Sequence, residues 1–236
     1  MLDMPAAETL PLYRACVANS RDLRTSFRVV GRLINSALKR GDQVSERTLT
    51  RLYALTYSSY VEASFMKLVL TPHGFPQDQV DQILSMPSVQ AKWHRAIDLA
   101  FLDFSSARKS SEVPNKTKEL KDFVDEYVVD PSKIRNKLAH GQFNVALNNT
   151  GTKINITKSN DLASMTSVDV YKWFMVHGML SDIIEDLVES PDNAHNRNYY
   201  VKFQNLEAFI TRTMSWTVAT KMKTPSMSKR PLFKPE

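Results

Sequence analysis

The chain of 236 residues is 42% hydrophobic and carries a formal net charge of +6, so it can bury a sizeable core and has only a mild excess of positive charge. Its single cysteine, Cys16, excludes an intramolecular disulfide and a thiolate-rich zinc site, and its six glycines leave no glycine-rich phosphate loop. No apolar run approaches the roughly 20 residues of a membrane span and the first ten residues lack a secretory pattern, so we expect a soluble, cytoplasmic protein without a membrane partner.

The first third of the chain is predicted to form two long helices. Apolar residues recur at helical spacing over residues 12–38, and Gly41 supplies a stop. A second apolar stripe predicts a helix that begins near Ser45 and ends before Pro72. We expect these two helices to pack against each other as an antiparallel pair.

Shorter elements are predicted in the middle of the chain. Residues 80–86 and 91–104 predict a short and a longer helix, residues 105–116 an exposed loop, and residues 117–129 another amphipathic helix. Asp130 and Pro131 have the pattern of a cap and a first-turn proline that begin a new helix, which Gly141 ends. Alternating apolar residues around residues 148–151 then predict a small β-hairpin.

The last third is predicted to be helical again. Residues 166–189 predict a helix that Asp169 caps and Pro191 closes, and His177 on its apolar stripe is interpreted as a hydrogen-bonded packing residue. Residues 200–220 predict one more helix, and the chain then continues into a basic tail. We expect one all-α domain over residues 1–236, with a core over about 10–190 and the last helix and tail over about 192–236.

The helix after Asp130 carries the most informative segment of the sequence. Residues 134–141 read I-R-N-K-L-A-H-G, with Arg135 and His140 separated by four residues. This segment resembles the HEPN superfamily, whose members carry an R-x4-H type of motif on a late helix and often have Asn directly after the arginine, as Asn136 is here. A looser likeness in helix order extends over about 30–190. The resemblance implies an all-α, HEPN-like helical bundle.

The spacing within this motif separates its two chemical groups. Five residues along a helix give about 7.5 Å of rise and 140° of rotation, so Arg135 and His140 do not point the same way, whereas Asn136 and His140 share a face. One chain therefore provides half of a pocket, and HEPN ribonucleases are known as a family for pairing two such motifs across a dimer.

The resemblance implies metal-independent endonucleolytic cleavage of RNA by a homodimer, with no cofactor and no metal. His140 is then the general acid or base, because imidazole titrates near neutral pH. Arg135 holds the scissile phosphate and stabilises charge on its oxygens. Asn136 orients His140 or donates to the phosphate, and Lys137 contacts the RNA backbone. The alternative is a solvated face on which Arg135 pairs with Asp125 or Glu126.

Glu62 is a further candidate for the catalytic site. It lies on a helical face of otherwise apolar or small residues, so its carboxylate needs a cation or a hydrogen-bond donor. We name Arg135 as that partner, since HEPN proteins often carry an acidic residue in this earlier helix. The alternative is a surface carboxylate that pairs with another lysine or arginine.

A one-sided basic stripe lies on the first predicted helix. Its members fall within about 80° of one another and are Arg14, Arg21, Arg24, Arg28, Arg32 and Lys39. The stripe predicts an RNA-binding surface in which Arg21, Arg24, Arg28 and Arg32 contact phosphates. The alternative is an ordinary solvated face, or one that pairs with an acidic neighbour.

The favoured function is a homodimeric HEPN-type ribonuclease of a toxin or antiviral defence system, with an antitoxin or regulatory protein as a further partner, a role that rests on the family alone. One alternative is a non-catalytic helical module that binds RNA or a protein. Another is the HEPN partner of a nucleotidyltransferase antitoxin, against which the lack of a tyrosine directly after His140 argues.

Overall fold

The computed structural model describes residues 6–102 and 112–223. Within these ranges the chain forms ten α-helices, namely α1 (Ala6–Arg40), α2 (Gln43–Val69), α3 (Gln77–Leu84), α4 (Val89–Leu102), α5 (Val113–Val124), α6 (Asp130–Ala139), α7 (Ile156–Ser164), α8 (Ser167–Glu189), α9 (Asn196–Thr213) and α10 (Val218–Met222). Two π-helical turns, Asp125–Val129 and Pro191–His195, lie before α6 and before α9. For the described residues, the prediction of an all-α protein is confirmed. None of the helices in these ranges combines the length and the apolar character that a membrane crossing requires.

The predicted antiparallel pair of long helices is confirmed as α1 and α2. Gly41 adopts a φ of 67° and ends α1, and the carboxylate of Asp42 caps α2 by accepting a hydrogen bond from the amide of Ser45 at 3.0 Å. The ring of Phe27 in α1 stacks on that of Tyr53 in α2 with centroids 3.8 Å apart. This tight connection forces the two helices to run back along each other.

The centre of the core lies between α2 and α8. The imidazole of His177 on α8 is fully buried, and its Nε2 lies 2.8 Å from the hydroxyl of Ser64 on α2. Burial, together with the nearby charge of Arg24, lowers the pKa of His177 to about 3. The interpretation of His177 as a packing residue is confirmed.

The segment that leads into α6 differs from the prediction of a capped new start at Asp130. Val129 keeps a right-handed helical backbone (φ −72°, ψ −47°) and no side chain caps α6, so α5 runs through the π-helical turn directly into α6. Pro131 lacks an amide hydrogen, and a widened turn lets the chain pass it without ending the helix. The predicted cap at Asp130 is therefore absent, whereas α6 does begin at Asp130 with Pro131 in its first turn, as predicted.

The end of α6 follows the prediction. Gly141 adopts a φ of 75°, the amide of Gln142 donates to the carbonyl of Lys137 at 2.9 Å, and the amide of Gly141 donates to that of Leu138 at 3.0 Å. These two hydrogen bonds are those of a Schellman motif, which requires a left-handed residue at this position. Gly141 therefore ends the helix just after His140.

The predicted β-hairpin after α6 is not confirmed as a pair of strands. In the described part of the chain, pairing is limited to one isolated antiparallel bridge between Leu147 and Ile154. Asn155 instead caps α7 by accepting a hydrogen bond from the amide of Lys158 at 3.0 Å. The helix α7 was not predicted from the sequence. Ile154 and Ile156 are 63% and 71% exposed, so no second layer packs against the alternating residues to stabilise strands.

The last helices follow the prediction in part. Thr166 and Asp169 form the predicted capping box at the start of α8. The helix predicted over residues 200–220 is divided into α9 and α10 around Met214. In the middle of the chain, α5 begins at Val113, inside the loop predicted over residues 105–116. Residues 105–111 of that loop and the tail residues Lys229, Arg230 and Lys234 lie outside the described residues.

Candidate active site

Arg135 lies in a polar cluster between α6 and α2. Its Nε donates to the hydroxyl of Ser58 at 3.1 Å, its Nη2 forms an ion pair with Glu62, and its Nη1 donates to Oδ1 of Asn136 at 3.2 Å. The Arg135 side chain is 27% exposed and that of Glu62 is 55% exposed. The ion pair that the sequence predicted between Glu62 and Arg135 is therefore present at the surface, and neither Asp125 nor Glu126 takes its place.

The α2 helix positions this cluster through contacts on both sides of the motif. Ser58 and Glu62 are four residues apart and so lie on one face of α2, towards Arg135. The hydroxyl of Tyr57 donates to the carbonyl of Tyr127 in the π-helical turn that precedes α6. Together with buried Leu138, these contacts fix α6 against α2.

A further α2 side chain holds the segment after the motif. Nη2 of Arg51 donates to Oδ1 of Asn144 at 3.1 Å, and its guanidinium lies over the ring of Phe143. The Arg51 side chain is buried, and this burial, with the like charge of Arg47, lowers its pKa. Arg51 thus fixes the segment that follows His140.

The guanidinium of Arg135 keeps two donors for a ligand. An arginine has five N–H groups, of which Ser58, Glu62 and Asn136 take one each in the described part of the chain. One N–H remains on Nη1 and one on Nη2. Two N–H groups on neighbouring nitrogens match the two non-bridging oxygens of a phosphodiester.

His140 lies at the C-terminal end of α6. Its backbone has φ −91° and ψ 20°, and its amide donates to the carbonyl of Asn136 at 3.2 Å. The residue is exposed, and its imidazole has no hydrogen-bond partner among the described residues. The motif therefore combines a cation that α2 holds in place with an imidazole that is open to solvent.

The other predicted RNA-binding residues are not brought to this cluster. Nζ of Lys137 donates to the carbonyl of Leu147 at 2.7 Å. Nη2 of Arg24 donates to the hydroxyl of Tyr60 at 2.9 Å, which raises the pKa of the arginine. Arg21, Arg28 and Arg32 share the Arg24 side of α1, about half a turn away from the α1 residues that lie beside Glu62.

Grooves lie on both sides of Glu62. One of about 480 Å³ lies between α1 and α2 and includes Cys16, whose pKa is raised by partial burial, and Asp22. Another of about 280 Å³ lies between α2 and α4 and includes Lys92 and Trp93. Glu62 therefore borders both grooves as well as Arg135.

The titratable side chains of residues 6–102 and 112–223 do not form a metal site. No group of three or more His, Cys, Asp or Glu side chains is arranged there to hold a metal ion. His94 pairs with Asp125 at 2.9 Å, and buried His195 has a pKa that burial and the charge of Lys116 lower to about 4.

Sequence reasoning assigned no role to Ser58, Tyr57 or Lys92. The sequence placed Ser58 on the same helical face as Glu62, so its position near the site was predictable. Its hydrogen bond with Arg135 was not. Lys92 carried no signal, because the packing of α4 against α2 depends on residues distant in the chain.

Comparison with protein-family models, curated proteins and solved structures found no match. The resemblance to the HEPN superfamily therefore rests on residues 134–141, with a looser likeness in helix order and in the acidic residue at position 62.

Proposed function

We propose that this protein is a HEPN-type, metal-independent endoribonuclease that acts as a homodimer. The observation that carries the proposal is the surface guanidinium of Arg135, which retains two N–H donors while Ser58 and Glu62 fix its orientation. A fixed cation with unused donors is suited to binding a phosphodiester, and exposed His140 lies on the same helix.

The proposed reaction is an internal transfer at phosphorus. The ribose 2′-OH gives its proton to a general base and its oxygen attacks the adjacent phosphorus. The bond from phosphorus to the 5′-oxygen breaks, and a general acid protonates that oxygen, which leaves a 2′,3′-cyclic phosphate and a 5′-OH end. Arg135 stabilises the charge that grows on the non-bridging oxygens, and His140 serves in proton transfer, which typically contributes roughly 10²–10⁴-fold.

A second copy of the chain supplies what one protomer lacks. The attacking and leaving oxygens lie on opposite sides of the phosphorus, so one imidazole does not serve both in a single step. In one chain, Arg135 and His140 are also turned about 140° apart on α6. In the proposed dimer, two copies of the motif face one phosphodiester.

The biological setting that we propose, a toxin or antiviral defence effector under an antitoxin or regulatory protein, follows from the family resemblance alone. A non-catalytic RNA- or protein-binding module is the second candidate. It is favoured by the contacts of Arg135, since two of its three acceptors, Ser58 and Glu62, lie on α2 and the arginine therefore also serves to fix α6 on α2.

The test is incubation of the purified protein with RNA in excess chelator, with analysis of the product ends. We expect cleavage with 2′,3′-cyclic phosphate ends, and we expect Arg135→Ala and His140→Asn each to abolish it. Arg197→Ala on α9 and His73→Asn are matched controls, because both residues are exposed and His73 has a φ of 63°, which asparagine tolerates. Cleavage that requires Mg²⁺ or survives both motif substitutions contradicts the proposal, and RNA binding without cleavage favours the second candidate.

A further inference from the structure

The groove between α2 and α4, here called the α2–α4 groove, has an apolar floor and a polar rim. Val61, Phe65 and Trp93 are buried in the floor, and the rings of Phe65 and Trp93 lie with centroids 4.7 Å apart. Glu62 and Lys92 lie at the rim, and the groove has a volume of about 280 Å³. A flat apolar group with a negative charge beside it matches this arrangement.

The charge at the rim distinguishes this groove from its neighbour. Among the described residues, the ammonium of Lys92 has no hydrogen-bond or ion-pair partner. The groove between α1 and α2 is lined instead by two carboxylates, Asp22 and Glu62, and by no lysine or arginine of the described chain. A strand of phosphodiesters, with one negative charge per nucleotide, is therefore favoured in the α2–α4 groove.

The α2–α4 groove adjoins the candidate active site at Glu62, which pairs with Arg135 and also lines the groove. Ser58, Glu62 and Met66 follow one another at intervals of four residues on the same side of the helix. Arg135 is held at the first two of these residues, and the groove includes the last two. Met66 lies about 6 Å beyond Glu62 along the helix axis, so a ligand on Arg135 reaches the groove within one helical turn.

We propose that the α2–α4 groove binds one unpaired nucleotide of an RNA strand, next to the phosphodiester held by Arg135. The base lies against the apolar floor, and the phosphate on its far side lies against Lys92. A base in a duplex is stacked and paired on its edges, so only an unpaired base enters such a groove without the cost of leaving the stack. This inference rests on the proposed function, because it takes Arg135 as the neighbouring phosphate site.

The test uses two groove variants, each with a matched control. Val89→Glu adds a carboxylate at the groove wall, where Val89 is 36% exposed and where the start of α4 favours a negative charge. Lys92→Gln removes the rim cation. The controls are Val44→Glu, at an exposed valine near the far end of α2, and Lys118→Gln, at an exposed lysine on α5.

Binding is measured by fluorescence anisotropy with a short labelled single-stranded DNA, which lacks the 2′-OH and cannot be cut by the proposed reaction. Cleavage of the matching RNA gives kcat and KM. We expect Val89→Glu to raise Kd and KM about tenfold and to leave kcat unchanged. A tenfold change in Kd corresponds to the loss of one good contact between the base and the groove. We expect Lys92→Gln to lower the slope of log Kd against log salt by about 0.7, which corresponds to one phosphate contact on a single strand. Both controls keep the wild-type values.

The outcomes separate this inference from the proposed function. If the wild type cuts RNA and both groove variants behave as their controls do, the groove assignment is wrong and the ribonuclease proposal stands. If the wild type binds the DNA without cutting RNA, the ribonuclease proposal fails, and weaker binding by the groove variants still supports the groove. No binding of the DNA by the wild type, or equal binding of a duplex, overturns the groove assignment.

Discussion

The buried imidazole of His177 makes the stability of this protein depend on pH. In the folded state its pKa is lowered to about 3, whereas in the unfolded chain it returns to the ordinary value of 6.5. The unfolded state therefore binds a proton more readily, so the contribution to stability is complete above about pH 7 and is lost as the pH falls from 6.5 towards 3. At about pH 5 this one histidine lowers the free energy of unfolding by about 2 kcal/mol.

The assay is urea unfolding at about pH 7.5 and pH 5 for the wild type and for His177→Gln, which cannot titrate. We expect the variant to be less stable at the higher pH but to lose about 2 kcal/mol less than the wild type on acidification. Ser64→Ala is the control, because it removes the nearer of two hydroxyls beside Nε2, keeps the imidazole buried, and so retains the wild-type pH dependence. Equal losses for the wild type and His177→Gln would refute the reasoning.

Three further predictions concern the motif and its supports. Glu62→Gln lowers the free energy of unfolding by less than about 1 kcal/mol, because its ion pair with Arg135 is half exposed. It reduces kcat/KM about 100-fold, because the guanidinium is no longer held in place. If the loss of transition-state stabilisation is no larger than the loss of folding stability, a positioning role is contradicted. Gly141→Ala lowers stability by about 1–2 kcal/mol in thermal unfolding, since its φ is 75°, and Gly141→Asn costs less; equal costs would show that the backbone conformation is not the cause. Tyr57→Phe lowers stability by about 1–3 kcal/mol in urea unfolding, because the carbonyl of Tyr127 loses its donor; no change would argue against this hydrogen bond.

The features that the sequence predicted well depend on neighbouring residues. The stop at Gly41, the capping box of Thr166 and Asp169, and the end of α6 at Gly141 each follow from a few adjacent residues and from backbone conformation. The predicted cap at Asp130 is absent, because the π-helical turn Asp125–Val129 leads directly into α6. The Tyr57 hydroxyl supports that turn from 70 residues away, so no local pattern indicates it.

The candidate site was predictable to the extent that one helical face carries it. Glu62 was identified as a carboxylate in need of a cation, and Arg135 was the cation available on the motif. Whether the basic stripe faces this site was not predictable, because that depends on which side of α1 packs on α2. Arg24 contacts Tyr60, which lies on the opposite side of α2 from Glu62, so the stripe faces away from the cluster.

The two chemical groups of the motif differ in how the fold supports them, and this difference bears on the role of a second chain. Two α2 side chains, Ser58 and Glu62, fix the guanidinium of Arg135 before any ligand binds. The imidazole of His140 follows the last turn of α6 and has no side-chain partner among the residues described. Electrostatic stabilisation by a preorganised cation costs no reorganisation during the reaction, whereas proton transfer requires the imidazole within hydrogen-bond distance of its oxygen. In the proposed enzyme, the dimer and the RNA must therefore orient His140, while Arg135 is ready in the single chain.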